Sequence, residues 1–119
     1  DYLGVVALNG TEFLSTSGDY EKYFIENGVR YHHIMDPSTG YPAESGVTGV
    51  TVVCDSGLVA DALSTACFVL GVEKGTQLLK AHGADGLFVD EDHHVYLTEG
   101  MKERFSLLAD SYSVEDIAE

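Results

Sequence analysis

Hydrophobic and polar residues alternate at residues 20–25 and 29–35, which is the pattern of strands that bury one face. Short apolar or β-branched runs predict further strands at residues 4–8 and 47–54, and residues 86–90 and 95–98 are predicted as two short strands around a polar turn. Two dipeptides that tolerate positive φ, Asn9-Gly10 and Asn27-Gly28, predict tight turns after the strands at residues 4–8 and 20–25. The second dipeptide joins two aromatic-rich segments, so we expect a β-hairpin there.

Two helices are predicted in the middle of the chain. Residues 57–70 carry apolar or small residues at the spacing of one helix face, namely Leu58, Ala62, Ala66 and Val69. Residues 73–82 form a second helical stretch, and Gly83 follows it at the position where a glycine commonly ends a helix. The β-branched run 47–54 leads directly into the first helix and is expected to be a central strand.

The order of these elements indicates the fold class α/β (α+β), with a mixed sheet that contains a β-hairpin and is packed by two consecutive helices. We expect one layer of sheet. A chain of 119 residues has the length of one domain. Residues 1–119 are therefore predicted to form a single domain, with residues 109–119 as a flexible acidic tail.

The charge of the chain narrows the classes of function. Twenty acidic against six basic residues give a net charge of -14, and such a surface repels phosphate backbones and anionic membrane faces. We therefore expect no nucleic-acid partner. An acidic surface also suits the recruitment of a divalent cation, although acidity serves solubility equally well.

The cysteines and the apolar runs say less about function. Cys54 and Cys67 lie in a strand-like and a helix-like apolar run, which predicts buried free thiols rather than a disulfide. No apolar run approaches the roughly 20 residues of a membrane span, and the first residues lack the pattern of a signal peptide. Any export signal or membrane anchor is expected to lie upstream of these residues.

The first candidate site lies in the predicted helix 57–70. Asp61 and Thr65 stand four residues apart, so a carboxylate and a hydroxyl point the same way. Hard oxygen ligands of this kind are what Mg²⁺ prefers, and the small neighbours Ala62 and Ala66 let a phosphate approach. On these residues alone a second interpretation is stronger, in which Asp61 caps the helix or hydrogen-bonds near its start and Thr65 packs.

The second candidate site is the passage from a strand into a loop at residues 31–42. His32 and His33 point to opposite faces of the strand, so at most one of them joins a given site. A histidine near a carboxylate can carry protons at neutral pH, and Pro37 holds Asp36 extended. Simple turn formation explains Asp36 equally well.

The third candidate is the hydroxyl-rich segment at residues 15–20, which can offer hydroxyl and backbone N–H groups to a phosphate or a ribose. Such a segment is weak evidence by itself. His93 and His94 lie in an acidic turn, and we interpret them as part of a solvated turn rather than as a metal site.

Together the three segments resemble the C-terminal half of the FAD:protein FMN transferases, the ApbE-like family of flavin transferases. The resemblance is carried by the stretches TSGDY, HHIMDPSTGYP and VTVVCDSGLVADALSTACFVLG, with EKG close behind, in the order and spacing of that family. It extends over residues 14–79.

By this resemblance, Asp61 and Thr65 fall on magnesium-ligand positions, which reverses the interpretation that their spacing alone favours. His33 falls on the position of the catalytic histidine near the FAD diphosphate. The residues that the resemblance implies in cofactor binding, or in the loop beside the cofactor, are Ser17, Gly18, Asp19, His33, Asp36, Thr39 and Gly40.

The activity implied by the resemblance is a Mg²⁺-dependent transfer of FMN from FAD to a protein. A threonine hydroxyl of a partner flavoprotein attacks the FMN phosphorus, and AMP leaves while the cation neutralises the developing phosphate charge. The family resemblance also implies an extracytoplasmic location, periplasmic or at the cell surface.

The N-terminal half of the family pattern is not found in these residues. We therefore expect either a fragment or a short homologue, and an isolated chain that is inactive alone. The alternative is a non-catalytic module that binds flavin or metal, or a half-site that needs a partner chain.

Overall fold

The structure is a computed structural model that describes residues 2–17, 22–37 and 42–117. In chain order its elements are β1 (Tyr2–Leu8), β2 (Phe13–Ser17), β3 (Lys22–Glu26), β4 (Val29–Met35), β5 (Val47–Cys54), α1 (Gly57–Leu70), α2 (Val72–Ala81), β6 (Asp85–Asp90), β7 (His94–Leu97), α3 (Glu99–Lys102), β8 (Phe105–Leu107) and β9 (Ser113–Glu115). The predicted strands and helices are all present, and their bounds differ from the predicted ones by at most two residues.

The strands form two sheets rather than one. The first sheet has the order β3-β4-β1-β8, and the second has the order β2-β5-β6-β7-β9. All neighbours are antiparallel except β7 and β9, which are parallel, so the second sheet is mixed. The α+β class with a hairpin and two consecutive helices is confirmed, whereas the expectation of one layer of sheet is wrong. Local patterns predict strands but do not reveal which strands pair.

The two sheets and the helices stack in three layers with one apolar core on each side of the second sheet. Between the sheets, Leu3, Val6 and Ile34 of the first sheet meet the side chains of Leu87 and Val95. The second core lies between the second sheet and the helices α1 and α2. The second sheet is therefore the middle layer.

Strand β5 is buried on both faces. Val53 points toward the first sheet, while Val50, Val52 and Cys54 point toward the helices. A strand that is covered on both sides reads as a nearly continuous apolar run, because neither set of alternating positions faces water. The prediction of a central strand at residues 47–54 is confirmed.

Helix α1 begins after Ser56, whose Oγ accepts a hydrogen bond from the backbone N–H of Val59 at 3.3 Å. Its buried residues are Ala60, Leu63, Ser64 and Cys67. The face picked out by sequence spacing is the opposite one, since Leu58 and Val69 are 82% and 69% exposed. The helix is apolar on nearly all sides, so periodicity could not identify the side that packs.

The turn predictions hold at the backbone level. Asn27 and Gly28 have φ values of 53° and 79° and connect β3 to β4. Gly10 also has a positive φ, of 61°, but the strands on either side of it belong to different sheets. That turn therefore links two layers instead of closing a hairpin.

The described end of the chain is attached to the second sheet. Strand β9 pairs with β7, and the side chain of Tyr112 is buried. The predicted flexibility of residues 109–119 and the predicted single domain stay predictions.

Both cysteines are free and buried as expected, and burial raises the pKa of the Cys67 thiol to about 11. Among the described residues, no helix has both the length and the apolar character needed to cross a bilayer.

The packing of α2 on β6 gives a prediction about stability. A Cβ atom at Gly75 would lie 2.8 Å from two ring carbons of Phe88, which is fully buried. We expect Gly75→Ala to lower the free energy of unfolding by up to about 2 kcal/mol, because an overpacking cost of about 1–3 kcal/mol is offset by a gain in helix propensity of only about 1 kcal/mol. Urea unfolding measures this change.

The control is Lys74→Ala at an exposed position of the same helix, which should change the stability by less than about 0.5 kcal/mol. A Gly75→Ala protein as stable as the parent would show that the Phe88 ring can move aside without cost.

Candidate functional site

The contact between α1 and β2 gathers hydroxyl groups around Asp61. Pairing with β5 places Ser15 opposite Val52, on the face of β2 that is turned toward α1. The Ser15 Oγ donates a hydrogen bond of 2.5 Å to the Asp61 carboxylate Oδ1. From within α1, the hydroxyls of Ser64 and Thr65 both donate to the backbone carbonyl of Asp61, at 3.0 and 3.1 Å.

This geometry bears on the two interpretations of Asp61, as a magnesium ligand or as a structural residue of the helix. The N-cap of α1 is Ser56, so Asp61 does not cap the helix, but it does hydrogen-bond near the helix start, as the structural interpretation also allows. Thr65 is exposed, so it does not pack in the core. Asp61 is exposed as well, and its carboxylate stands one helical turn from the Thr65 hydroxyl. The result is a surface-facing pair of oxygen groups, in which the Ser15 hydroxyl holds the Asp61 carboxylate and the Thr65 hydroxyl is held by the Asp61 carbonyl.

Ser17 lies on the same face of β2, two residues beyond Ser15 and opposite Val50. Its Oγ atom is buried and has no hydrogen-bond partner within the described ranges of the chain. A buried hydroxyl without a partner costs free energy, so such an atom marks a place where a polar ligand could bind. Gly18 and Asp19, the next two predicted site residues, lie outside the described residues.

The two adjacent histidines of β4 separate as strand alternation predicts. His32 is 4% exposed and lies on the core side of the first sheet. His33 lies on the outer face, where its ring is 4.7 Å from the Tyr2 ring and 5.4 Å from the Phe24 ring, centroid to centroid. Of the two histidines, only His33 is placed to meet a ligand at the surface.

Asp36 connects the end of β4 to the far end of the chain. The hydroxyl of Tyr112 donates a hydrogen bond of 2.5 Å to the Asp36 Oδ1. Next to Asp36, the ring of Pro37 lies 3.1 Å from the place that a Cβ of Gly49 would occupy. The start of this loop is thus fixed between the two sheets. Thr39 and Gly40 lie outside the described residues.

The structure brings some of the predicted site residues together and keeps others apart. Ser17, Asp61 and Thr65 lie on the helix side of the second sheet. His33 lies on the outer face of the first sheet, with both sheets between it and α1. Facing sheets are about 10 Å apart, so the imidazole of His33 does not contact Asp61.

Sequence reasoning missed two contacts of the site. Ser15 belongs to the hydroxyl-rich segment, but nothing in the sequence indicates that its partner is Asp61, 46 residues away. Tyr112 lies in the segment predicted to be a tail, and its partner Asp36 is 76 residues away. Contacts between such distant positions leave no periodic signal in a single sequence.

The acidic turn at residues 90–94 has a structural explanation. Asp90, Asp92 and His94 bring atoms of the metal-ligating type within 4.8 Å of one another. However, the Asp90 carboxylate already accepts hydrogen bonds from the backbone N–H groups of Asp92 and His94 and from the Tyr96 hydroxyl, at 2.9, 2.9 and 3.1 Å. Burial raises the pKa of Asp90, but these hydrogen bonds outweigh it and lower the pKa overall. The carboxylate is engaged in closing the turn.

Comparison with known proteins identifies the family. The model of the ApbE family matches residues 1–88, a range that contains every predicted site residue. The chain belongs to the ApbE family.

Relatives and solved structures agree with this assignment. The FAD:protein FMN transferase of Treponema pallidum is 46% identical over 101 residues, which are 84% of this chain and 28% of that protein. The FAD:protein FMN transferase of Klebsiella pneumoniae is 39% identical over 96% of this chain and 36% of that protein. The chain thus spans about a third of the length of these relatives.

Among solved structures, the apo form of the flavinyl transferase ApbE of Pseudomonas stutzeri superposes with a TM-score of 0.54 at 40% identity, over 81% of this chain and 30% of that one. The ApbE protein of Thermotoga maritima gives a TM-score of 0.52 at 38% identity, over 87% and 38%. The order of sheets and helices described above is therefore that of part of the family fold.

The burial of His32 gives a prediction about pH. Burial, and secondarily the Arg30 guanidinium, hold the pKa of His32 below its usual value of 6.5. Below about pH 6.5 the unfolded chain therefore binds more protons than the folded one, and stability falls as the pH is lowered from about 7 to 5. His32→Gln should remove this part of the fall, as measured by melting temperatures across that range.

His82→Gln, at an exposed histidine, is the matched control and should leave the pH dependence of the parent unchanged. Equal pH profiles for the parent and for His32→Gln would contradict the assignment of His32 as a neutral core residue.

Proposed function

We propose that this chain forms part of a FAD:protein FMN transferase, which moves FMN from FAD to a threonine hydroxyl of a partner flavoprotein and releases AMP in a Mg²⁺-dependent reaction. The observation that carries the proposal is the exposed Asp61–Thr65 pair, whose carboxylate is held by the Ser15 hydroxyl within a region that matches the ApbE family. The relatives named above carry the name of this activity.

The residues present fit a magnesium ion. Asp61 offers a carboxylate, and Thr65 offers a hydroxyl whose proton is already donated to the Asp61 carbonyl, so its lone pairs remain available to a cation. Mg²⁺ binds about six oxygens and usually keeps several waters beside one or two protein ligands and substrate phosphates. When bound, the cation would neutralise the negative charge that develops on the phosphates during transfer.

The proposed reaction exchanges one phosphorus–oxygen bond for another. A bond forms between the threonine Oγ and the FMN phosphorus, while the phosphoanhydride bond to AMP breaks. AMP departs with the bridging oxygen and its electron pair, and the threonine proton must be taken up by a base. His33 is assigned the role of proton carrier or phosphate partner by family resemblance, and its half-buried position on the outer face of the first sheet is consistent with substrate contact.

The cofactor side of the proposal rests on Ser17 and Asp36 together with Gly18, Asp19, Thr39 and Gly40. The buried, unpartnered hydroxyl of Ser17 supports a polar ligand at the end of β2. The carboxylate of Asp36 is held by Tyr112, which supports a role in fixing the loop rather than in chemistry. We also propose an extracytoplasmic site of action, on the strength of the family resemblance alone.

A second candidate function is the binding of flavin or metal without turnover. It is favoured by one observation, the two sheets that separate His33 from Asp61. With these groups apart, the chain by itself does not surround one phosphate with all the groups that the transfer uses. The isolated chain is accordingly expected to show no transfer, and the two candidates differ in whether a hybrid enzyme containing this chain labels an acceptor.

The first prediction of the proposal concerns Asp61. In a hybrid where this chain replaces the matching 36% of the Klebsiella pneumoniae relative, Asp61→Ala should abolish metal-dependent labelling of an acceptor peptide, because it removes the charged oxygen ligand. Covalent flavin fluorescence on a denaturing gel measures the transfer. Asp55→Ala, at an exposed acidic position just before α1, is the control. Full activity of Asp61→Ala at saturating FAD would refute the assignment.

The second prediction separates the two histidines. His33→Ala should lower kcat in the hybrid by about a hundredfold or more, the usual range for a lost acid–base group, whereas His32→Ala should change activity far less at a temperature where both variants are folded. Steady-state release of AMP measures the rate. Equal and mild effects of the two substitutions would remove His33 from the reaction.

A further inference from the structure

Ser15 connects the edge of the second sheet to the proposed metal site. Strand β2 is an edge strand of that sheet, and α1 packs against it. The Ser15 Oγ lies 2.5 Å from the Asp61 Oδ1 and 3.4 Å from the Ser64 Oγ. The family resemblance assigned no role to Ser15.

The direction of these hydrogen bonds follows from counting protons. An ionised carboxylate only accepts, so Ser15 must donate its single hydroxyl proton to Asp61. The proton of Ser64 is donated to the Asp61 carbonyl at 3.0 Å, and the 3.4 Å approach between the two hydroxyls is the weaker contact. The short bond from Ser15 is charge-assisted, which is the stronger class of hydrogen bond.

This bond restricts a side chain that would otherwise be mobile. Asp61 is exposed on a helix, where a short polar side chain can occupy several staggered rotamers. Holding one carboxylate oxygen selects one rotamer and leaves the other oxygen without a hydrogen-bond partner in the part of the chain that the structure describes. Partners that hold a metal ligand in this way typically change metal affinity when they are removed.

We propose that Ser15 is a positioning residue, which orients the Asp61 carboxylate for the divalent cation. The inference rests on the proposed function, because Asp61 is a cation ligand only there. Ser15 also lies two residues before Ser17 on the same face of β2. The hydrogen bond from Ser15 to Asp61 thus fixes the proposed cation ligand relative to β2, the strand that also contains the proposed cofactor-binding residue Ser17.

The test is Mn²⁺ binding by the hybrid in which this chain replaces the matching part of the Klebsiella pneumoniae relative, followed through the electron paramagnetic resonance signal of free Mn²⁺. Ser15→Ala should lower the affinity about 10–100-fold, the usual effect of removing a group that orients a ligand. Ser15→Thr keeps a hydroxyl on a residue that suits strands and should restore most of the affinity. Ser106→Ala, at an exposed serine of β8, should leave it unchanged, and Asp61→Ala should eliminate specific binding.

A second measurement tests the contact without any metal. Melting temperatures of Ser15→Ala, Asp61→Ala and the double variant should not add, because the second substitution removes a bond that the first has already broken. A merely structural role for Ser15 would lower the melting temperature while leaving the Mn²⁺ affinity of Ser15→Ala at the parental value.

The outcomes separate this inference from the proposed function. Loss of Mn²⁺ binding in Asp61→Ala with unchanged binding in Ser15→Ala overturns the role of Ser15 and leaves the metal site standing. Additive melting shifts also overturn it, since they show that the two side chains are not coupled. Unchanged Mn²⁺ binding in Asp61→Ala, or no binding by the parent, overturns the metal assignment itself and the inference with it.

Discussion

The burial of β5 on both faces is the constraint on which the rest of the structure depends. Its alternating side chains must be covered by the first sheet on one side and by helices on the other, because a β-branched strand in water exposes too much apolar surface. The helix side of β5 is covered by the next element in the chain, since only Asp55 and Ser56 separate β5 from α1. Helix α1 therefore folds back along the strand that precedes it, and this return path carries Asp61 over the neighbouring strand β2.

The candidate site forms where the helix layer reaches the edge of the middle sheet. The contact of α1 with β5 is apolar, whereas its contact with β2 includes Ser15 and Ser64. Burying hydroxyls is costly unless they are hydrogen-bonded, and here Ser15 donates to the Asp61 carboxylate while Ser64 donates to the Asp61 backbone carbonyl. The Ser15 hydroxyl thus holds a carboxylate that itself faces outward.

The geometry agrees better with the family resemblance at Asp61 and Thr65 than at His33. For Asp61 and Thr65, the spacing alone favours a structural role and only the resemblance indicates a shared ligand, while the structure shows hydrogen bonds to both residues. For His33, alternation correctly separates it from the buried His32, but its place on the outer face of the first sheet is remote from α1. A transfer reaction that uses both positions requires a substrate long enough to contact the two surfaces or further protein groups around it.

The sequence by itself determined the identity of most elements, the turn at Asn27-Gly28, the opposite orientation of the two histidines and the matching of Asp61 with Thr65. These features depend on neighbours within about four residues, whose geometry is imposed by the backbone periods of strand and helix. The tertiary structure alone decided the division into two sheets and the buried face of α1. It also decided two hydrogen bonds, from Ser15 to Asp61 and from Tyr112 to Asp36. Such contacts join residues tens of positions apart, and a single sequence carries no period at those separations, so it is the packing of layers that selects them.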